Sequence, residues 1–259
     1  MISLRGIALG LMAWSGLQSS VNAATTPSAA SIAEGQKLAA EIRSQIPEEN
    51  MEVNGILVVR NADGKRSKVP FHYQVIVGDR GWSTVYETRP SRSEPIEKLE
   101  VVRTAGHPNQ YRHSPPTGTE SQNGNADSLK GDAAMIPFAG SDFWLADLGL
   151  EFLHWPQQRI VEEAKIKMRK SRPCKVLESV NPKPDARGYT RVRSWIDSKT
   201  GGVILAEAYG PDNKLMKEFE IGGLVKINGQ YELKNMEMRN AQSDTQTILE
   251  FKYQKKVDE

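Results

Sequence analysis

Apolar residues recur along this chain with three different periods. Ile32, Leu38, Ile42 and Ile46 follow one face of a helix, Ser31 stands as its N-cap with Glu34 three residues on, and Pro47 ends it. From Glu52 the period is two. Val53, Gly55, Leu57 and Val59 alternate with Asn54, Ile56, Val58 and Arg60; Asn61-Ala62-Asp63-Gly64 turns the chain; then Phe71, Tyr73, Val75 and Val77 alternate in their turn. Trp82 to Arg89 and Leu99 to Arg103 continue the meander, and Ser114 to Ala134, rich in Pro, Gly, Ser and Asn, reads as a long mobile loop. Phe143 to Trp155 is apolar around most of a helical circumference, with Pro156 as its stop.

Strands return after that second helix. Ala164, Ile166 and Met168 alternate with basic residues, and Cys174 to Val180, Tyr189 to Asp197, Val203 to Tyr209, Leu215 to Lys226, Tyr231 to Arg239 and Thr247 to Tyr253 follow between Pro- and Gly-bearing turns, among them Asn228-Gly229. Connections this short exclude parallel crossovers, so the sheet is expected to be antiparallel. About eleven strands must curl or close, and two apolar helices are available to cover the concave side. The expected class is mainly β (α+β): a curved antiparallel sheet, curled or closed, covered by helices.

The N-terminus adds a location. Arg5, an apolar run from Gly6 to Trp14, and Val21-Asn22-Ala23 have the layout of a cleavable secretory signal over residues 1–23, too short in its apolar part to span a bilayer. Residues 24–259 are then expected to form one domain, exported out of the cytoplasm. The single cysteine, Cys174, is not placed to receive a lipid after the cleavage point, and it excludes an internal disulfide; a buried, inert thiol is expected. A formal charge of +2 gives no pull towards nucleic acid.

Catalytic and metal chemistry find little support. No nucleophile elbow, phosphate-binding Gly loop, zinc helix or paired-cysteine motif occurs. His72, His107, His113 and His154 are dispersed; His107 and His113 could share a metal across a loop, but solvated or locally bonded histidines are the expectation. Asp147 and Glu151, four apart on the second helix, are expected on a solvated face, and the run Lys165, Lys167, Arg169, Lys170, Arg172 and Lys175 on a solvated strand edge, with an anionic lipid or acidic partner as the alternative. No catalytic residue, metal or cofactor is assigned.

What stands out is apolar. Phe143, Trp144, Phe152 and Trp155 crowd one short segment, more than a helix on one sheet face needs, and methionines such as Met216, Met236 and Met238 can line an irregular surface. Ordinary packing explains them, and so does a cavity for a lipid-like ligand between sheet and lid. The cavity candidates are Phe143, Trp144, Leu148, Phe152, Trp155, Trp82, Trp195, Met216 and Met236.

Ser141-Asp142-Phe143-Trp144-Leu145-Ala146-Asp147-Leu148 and Arg193-Ser194-Trp195-Ile196-Asp197, followed by Leu205 to Lys217, carry a resemblance to the LolA-like superfamily, in particular to its outer-membrane lipoprotein-sorting branch. The resemblance implies an unclosed barrel that shields acyl chains of a lipoprotein or other lipid across an aqueous compartment. It implies a monomeric, non-catalytic carrier, with an inner-membrane transporter and an outer-membrane acceptor as partners. The alternative is an envelope interaction module that docks on a transporter or assembly machine, its apolar residues all core. A hydrolase built on Asp147, Glu151 and His154 is the least supported class.

Overall fold

In the computed structural model, residues 26–89, 96–116, 127–161, 167–227 and 230–253 are described. The expected signal peptide, the middle of the 114–134 loop, Ala164 and Ile166, and the Asn228-Gly229 turn lie outside them.

Helix α1 (Ala29–Arg43) precedes a meander of β1 (Met51–Arg60), β2 (Arg66–Gly78), β3 (Gly81–Thr88), β4 (Lys98–Thr104), β5 (Gln110–Ser114) and β6 (Asp127–Leu129). A covering segment follows, containing α2 (Leu145–Gly149) and a single 3-10 turn, Glu151–His154. The second run of strands is β7 (Gln157–Ile160), β8 (Lys167–Arg169), β9 (Arg172–Val180), β10 (Arg191–Asp197), β11 (Val203–Tyr209), β12 (Leu215–Ile227), β13 (Gln230–Asn240) and β14 (Thr245–Lys252). Strand order is β6-β5-β4-β3-β2-β1-β14-β13-β12-β11-β10-β9-β7, with β8 beside β9, so the described residues form one 14-stranded sheet that does not close. All pairs are antiparallel, and β14 joins the two meanders by pairing with β1, Leu57 opposite Leu249. Register shifts in β10–β11, β11–β12 and β12–β13 add twist and bend, which curls a sheet this wide.

The expected antiparallel unclosed sheet is therefore present, with more strands than about eleven. Two of the additions, β5 and β6, are short strands at or near one end of the sheet. The end of the expected loop is also structured: Gly131–Ala134 form a 3-10 turn with Ala134 fully buried. Two of the three buried clusters contain covering-segment residues; one gathers Leu57, Phe71, Tyr86, Leu99, Tyr111, Phe143, Leu145 and Leu249, the other Ala39, Phe152, Trp155, Leu177, Val192 and Ile196. A third cluster, Val161, Cys174, Val176, Trp195 and Ile204, is separate from both.

Both helices differ from expectation. The N-cap of α1 is Ser28, whose Oγ accepts from Ser31 N at 3.1 Å, and the helix ends at Arg43. Its most buried face is Ser31, Gly35 and Ala39, while Ile32 and Ile46 are exposed. Small residues win there because the helix lies almost on the backbone of β7; a Cβ at Gly35 would stand 2.4 Å from Arg159 Cα. The expected helix Phe143–Trp155 is broken at Leu150, which adopts φ 54°, so only five residues are α-helical.

Candidate functional site

The segment from Met135 to Trp155 lies over the inner face as a lid. Its shape is local in origin: Ala139 and Gly140 both take positive φ, and Pro137 pairs with Trp144 across the turn they make. Asp147 then starts α2 by accepting from Trp144 N at 2.8 Å. Leu150 ends it in the left-handed conformation, and Gly149 leaves room for Tyr111, whose hydroxyl would meet a Cβ at 2.2 Å.

Polar contacts hold the lid to the sheet at several points. At one end Thr247 Oγ1 accepts from Asp142 N at 2.9 Å and donates to Asp142 Oδ2 at 2.8 Å, with Thr245 donating to Oδ1. In the middle, Lys217 Nζ donates to Asp142 O at 2.7 Å, lies 3.4 Å from Asp147 Oδ2 and sits 3.7 Å above the Trp144 ring. Trp144 stacks on Tyr189 at 4.6 Å, and the Tyr189 hydroxyl donates to Asp147 Oδ1 at 3.0 Å. At the other end Asn109 donates to Gly149 O, Arg103 to Leu148 O, Arg43 to Leu153 O and Tyr111 to Glu151 Oε2. Ala139 N donates to Glu97 Oε2 at 3.0 Å, and Glu97 Oε1 lies 2.9 Å from His113 Nε2.

Burial sets the electrostatics. It pushes Glu151 up to about 7 against the Tyr111 hydrogen bond, and lowers His154 to about 4, with Arg43 and Arg103 adding to that. Burial also lowers Lys217, which Asp147 partly offsets, and raises Tyr189 well above its usual value, with Asp147 acting in the same sense. The expectation of a solvated face for Asp147 and Glu151 is thus corrected. Glu151 is 5% exposed, and the two side chains have different partners because Leu150 turns the chain between them.

Between lid and sheet is a cavity of about 30 Å³, lined by Leu150, Phe152, Val192, Val203, Ala206, Ala208, Phe219 and Met238, with Asp147, Tyr189 and Lys217 at its polar side. Space of this size holds water-sized groups and not an acyl chain. A larger cleft of about 450 Å³, lined by Glu49, Glu52, Asn54, His72, Glu232, Lys252 and Tyr253 among others, is polar.

Of the nine cavity candidates, Phe152 lines the cavity. Phe143, Leu148 and Met236 pack in the first cluster; Trp155 packs in the second, with Trp144 and Met216 against it. Trp82 lies under the Arg103 guanidinium, 4.2 Å from its ring centroid. Trp195 belongs to the third cluster, with Arg169 5.0 Å from its ring. Met238, named among the methionines that can line an irregular surface, lines the cavity as well. Lys217, Tyr189 and Phe219 were not picked out from the sequence, although alternation along β12 puts Lys217 in phase with inward Phe219. Nor were Tyr73, Tyr86 and Phe251, which form a continuous aromatic floor with Phe71.

The other polar candidates find ordinary partners. His113 is buried against Glu97, His107 is exposed, and no group of three or more potential metal ligands occurs among the described residues. Of the basic run, Lys165 lies outside the described residues; the rest does not share one strand face, since it turns between β8 and β9, where Lys170 pairs with Glu220, Arg172 with Asp197 and Lys175 with Glu34. Cys174 is fully buried, and burial raises its pKa.

Comparison with known proteins supplies the fold's relatives. A family model described as an uncharacterized protein matches residues 123–259. No curated protein matches the sequence. Among solved structures, an outer membrane lipoprotein-sorting protein domain, so named, from Vibrio parahaemolyticus is similar, with a TM-score of 0.68 at 15% identity, over 88% of this chain and 94% of that one. A DUF1329 family protein from Desulfovibrio piger has a TM-score of 0.66 at 15% identity, over 88% and 95% of the two chains. A LolA superfamily protein from Nitrosomonas europaea has a TM-score of 0.56 at 14% identity, over 88% and 94%.

Proposed function

We propose that this chain, which belongs to the family of uncharacterized proteins matched over residues 123–259 and has the LolA-like fold, is a non-catalytic carrier of acyl chains. The observation that carries the proposal is the lid. An aromatic and aliphatic inner face is covered by a segment that sets Phe143, Leu145 and Phe152 into the core, is tied down as well by hydrogen bonds that water can replace, and has a cavity of about 30 Å³ beneath it. A carrier with its lid closed has this form. Each methylene moved from water onto such a surface contributes about 0.8 kcal/mol, so a long chain that takes the lid's place on the inner face can offset the apolar contacts and net hydrogen bonds lost when the lid lifts.

The cargo is a lipid or the acyl chains of a lipoprotein, and the compartment is the aqueous space between two membranes that the N-terminal signal points to. Sorting to the outer membrane is supported by the name of the relative from Vibrio parahaemolyticus, and a donor transporter and an acceptor by the need to load and unload a closed lid. Folding of residues 24–259 as one unit belongs to the same proposal.

Native mass spectrometry of the purified protein, together with displacement of a fluorescent acyl reporter, tests it. Co-purified lipid or saturable reporter binding is expected, weakened by Phe152→Asn while the unfolding transition remains cooperative. Bare protein that binds no acyl reporter would contradict it.

A further inference from the structure

Arg103 on β4 is a cation without a counter-charge. It faces inward beside Trp82 of β3 and reaches only neutral groups: Thr84 Oγ1 at 3.0 Å, Val101 O at 3.3 Å, Leu148 O at 3.3 Å and the Trp82 ring at 4.2 Å. Among the described residues no carboxylate lies within ion-pairing distance of it, whereas Lys217 has Asp147 and His113 has Glu97. Burial lowers its pKa, against the influence of Tyr86, Tyr73 and Tyr111. A desolvated guanidinium with neutral acceptors is costly to keep, and its fork geometry suits a carboxylate or phosphate.

Its position matters as much as its charge. The aromatic floor of Phe71, Tyr73, Tyr86 and Phe251 begins next to it, and the only lid atom it holds, the Leu148 carbonyl, is at a long distance and leaves when the lid lifts. We infer that Arg103 is the headgroup subsite of the carrier: the cargo is an anionic amphiphile whose oxyanion takes the place of the Leu148 carbonyl on Arg103 while its chain lies along the floor. The assignment rests on the carrier function proposed above and narrows its cargo to chains that end in a carboxylate or phosphate.

Binding of four probes below their micelle concentration tests it: hexadecanoate, hexadecyl phosphate, uncharged hexadecanol, and inorganic phosphate. Wild-type protein is expected to bind either anionic chain at least about tenfold tighter than hexadecanol, the scale of one charge-assisted contact. Arg103→Gln is expected to remove that preference, so that anionic and uncharged chains bind alike, and Arg103→Lys to retain part of it. Should Arg103→Gln fail to fold, the lysine variant and the loss of wild-type preference at high salt carry the test. Tight binding of either hexadecyl phosphate or hexadecanoate supports the assignment, and the tighter of the two tells whether the oxyanion is a phosphate or a carboxylate. Equal affinity for charged and uncharged chains, a preference that survives Arg103→Gln, or inorganic phosphate bound as tightly as hexadecyl phosphate would overturn the assignment and leave lipid carriage standing. Failure of every chain to bind would overturn both.

Discussion

Replacing Glu151 by Gln is expected to change how stability depends on pH, in a direction fixed by burial. Glu151 is 5% exposed, accepts the Tyr111 hydroxyl at 2.8 Å and has a pKa raised from 4.5 to about 7. A folded-state value above the unfolded one means that the native state holds the proton more tightly. Its contribution is therefore complete below the unfolded value and is lost as pH rises through the folded one. At about 1.4 kcal/mol per unit, the displacement makes the wild type about 3 kcal/mol less stable at about pH 8 than a permanently neutral side chain would. His154 acts in the opposite sense. Its value falls from 6.5 to about 4, so its contribution is present above the unfolded value and lost as pH falls through the folded one. Partial exposure reduces that term to about 2 kcal/mol. The two slopes oppose each other from pH 4.5 to 6.5, so the wild-type profile is shallow there, and Glu151→Gln leaves the rising His154 slope alone. Urea unfolding across this range measures both chains. The variant should match the wild type near pH 4 and exceed it by about 3 kcal/mol near pH 8. A variant less stable than the wild type at the alkaline end, or a difference that does not vary with pH, would refute the burial of a proton-holding carboxyl under the lid.

Three other outcomes follow from packing. Phe143→Ala removes a ring that is 1% exposed and should cost about 3 to 5 kcal/mol, read as a lowered denaturation midpoint; a loss under about 1 kcal/mol would mean that the lid is not part of the core. Gly35→Ala places a methyl 2.4 Å from Arg159 Cα and must push α1 off β7, for a loss of about 1 to 3 kcal/mol, whereas alanine's higher helix propensity alone would stabilise by up to about 1 kcal/mol. Lys217→Met removes the bond to the Asp142 carbonyl and should speed amide exchange across Leu145–Leu150, with the exchange of β1 and β14 unchanged; equal protection in both chains would show that Lys217 does not hold the lid.

The sheet was legible because period-two alternation is a direct record of burial. Val53, Gly55 and Leu57 read as one face and are buried, and Phe71 lies opposite Gly55 as that phase requires. The lid was half legible: its aromatics marked it, but a segment packed on several sides has no period, so the turn at Leu150 left no trace in Phe143–Trp155. Strand β5 was missed because Tyr111 and His113 alternate with polar Gln110 and Arg112 over only five residues, and an inward histidine makes sense only once Glu97 is beside it. Asp147 and Glu151 were misjudged for the same reason. Their partners Lys217, Tyr189 and Tyr111 are remote in sequence, and a carboxylate without visible partners looks solvated. The family resemblance supplied what alternation could not, namely that a sheet of this width stays open and carries a lid.

That the lid must lift before a chain can enter is the central claim, and a reversible lock tests it most directly. Asp142→Cys combined with Thr247→Cys replaces the pair whose side chains meet at 2.8 Å, one on the lid and one on β14; Cys174, fully buried, stays out of the chemistry. Acyl-reporter uptake should be abolished in the oxidised double variant and restored by reductant. Equal uptake in the oxidised and reduced forms would contradict the account.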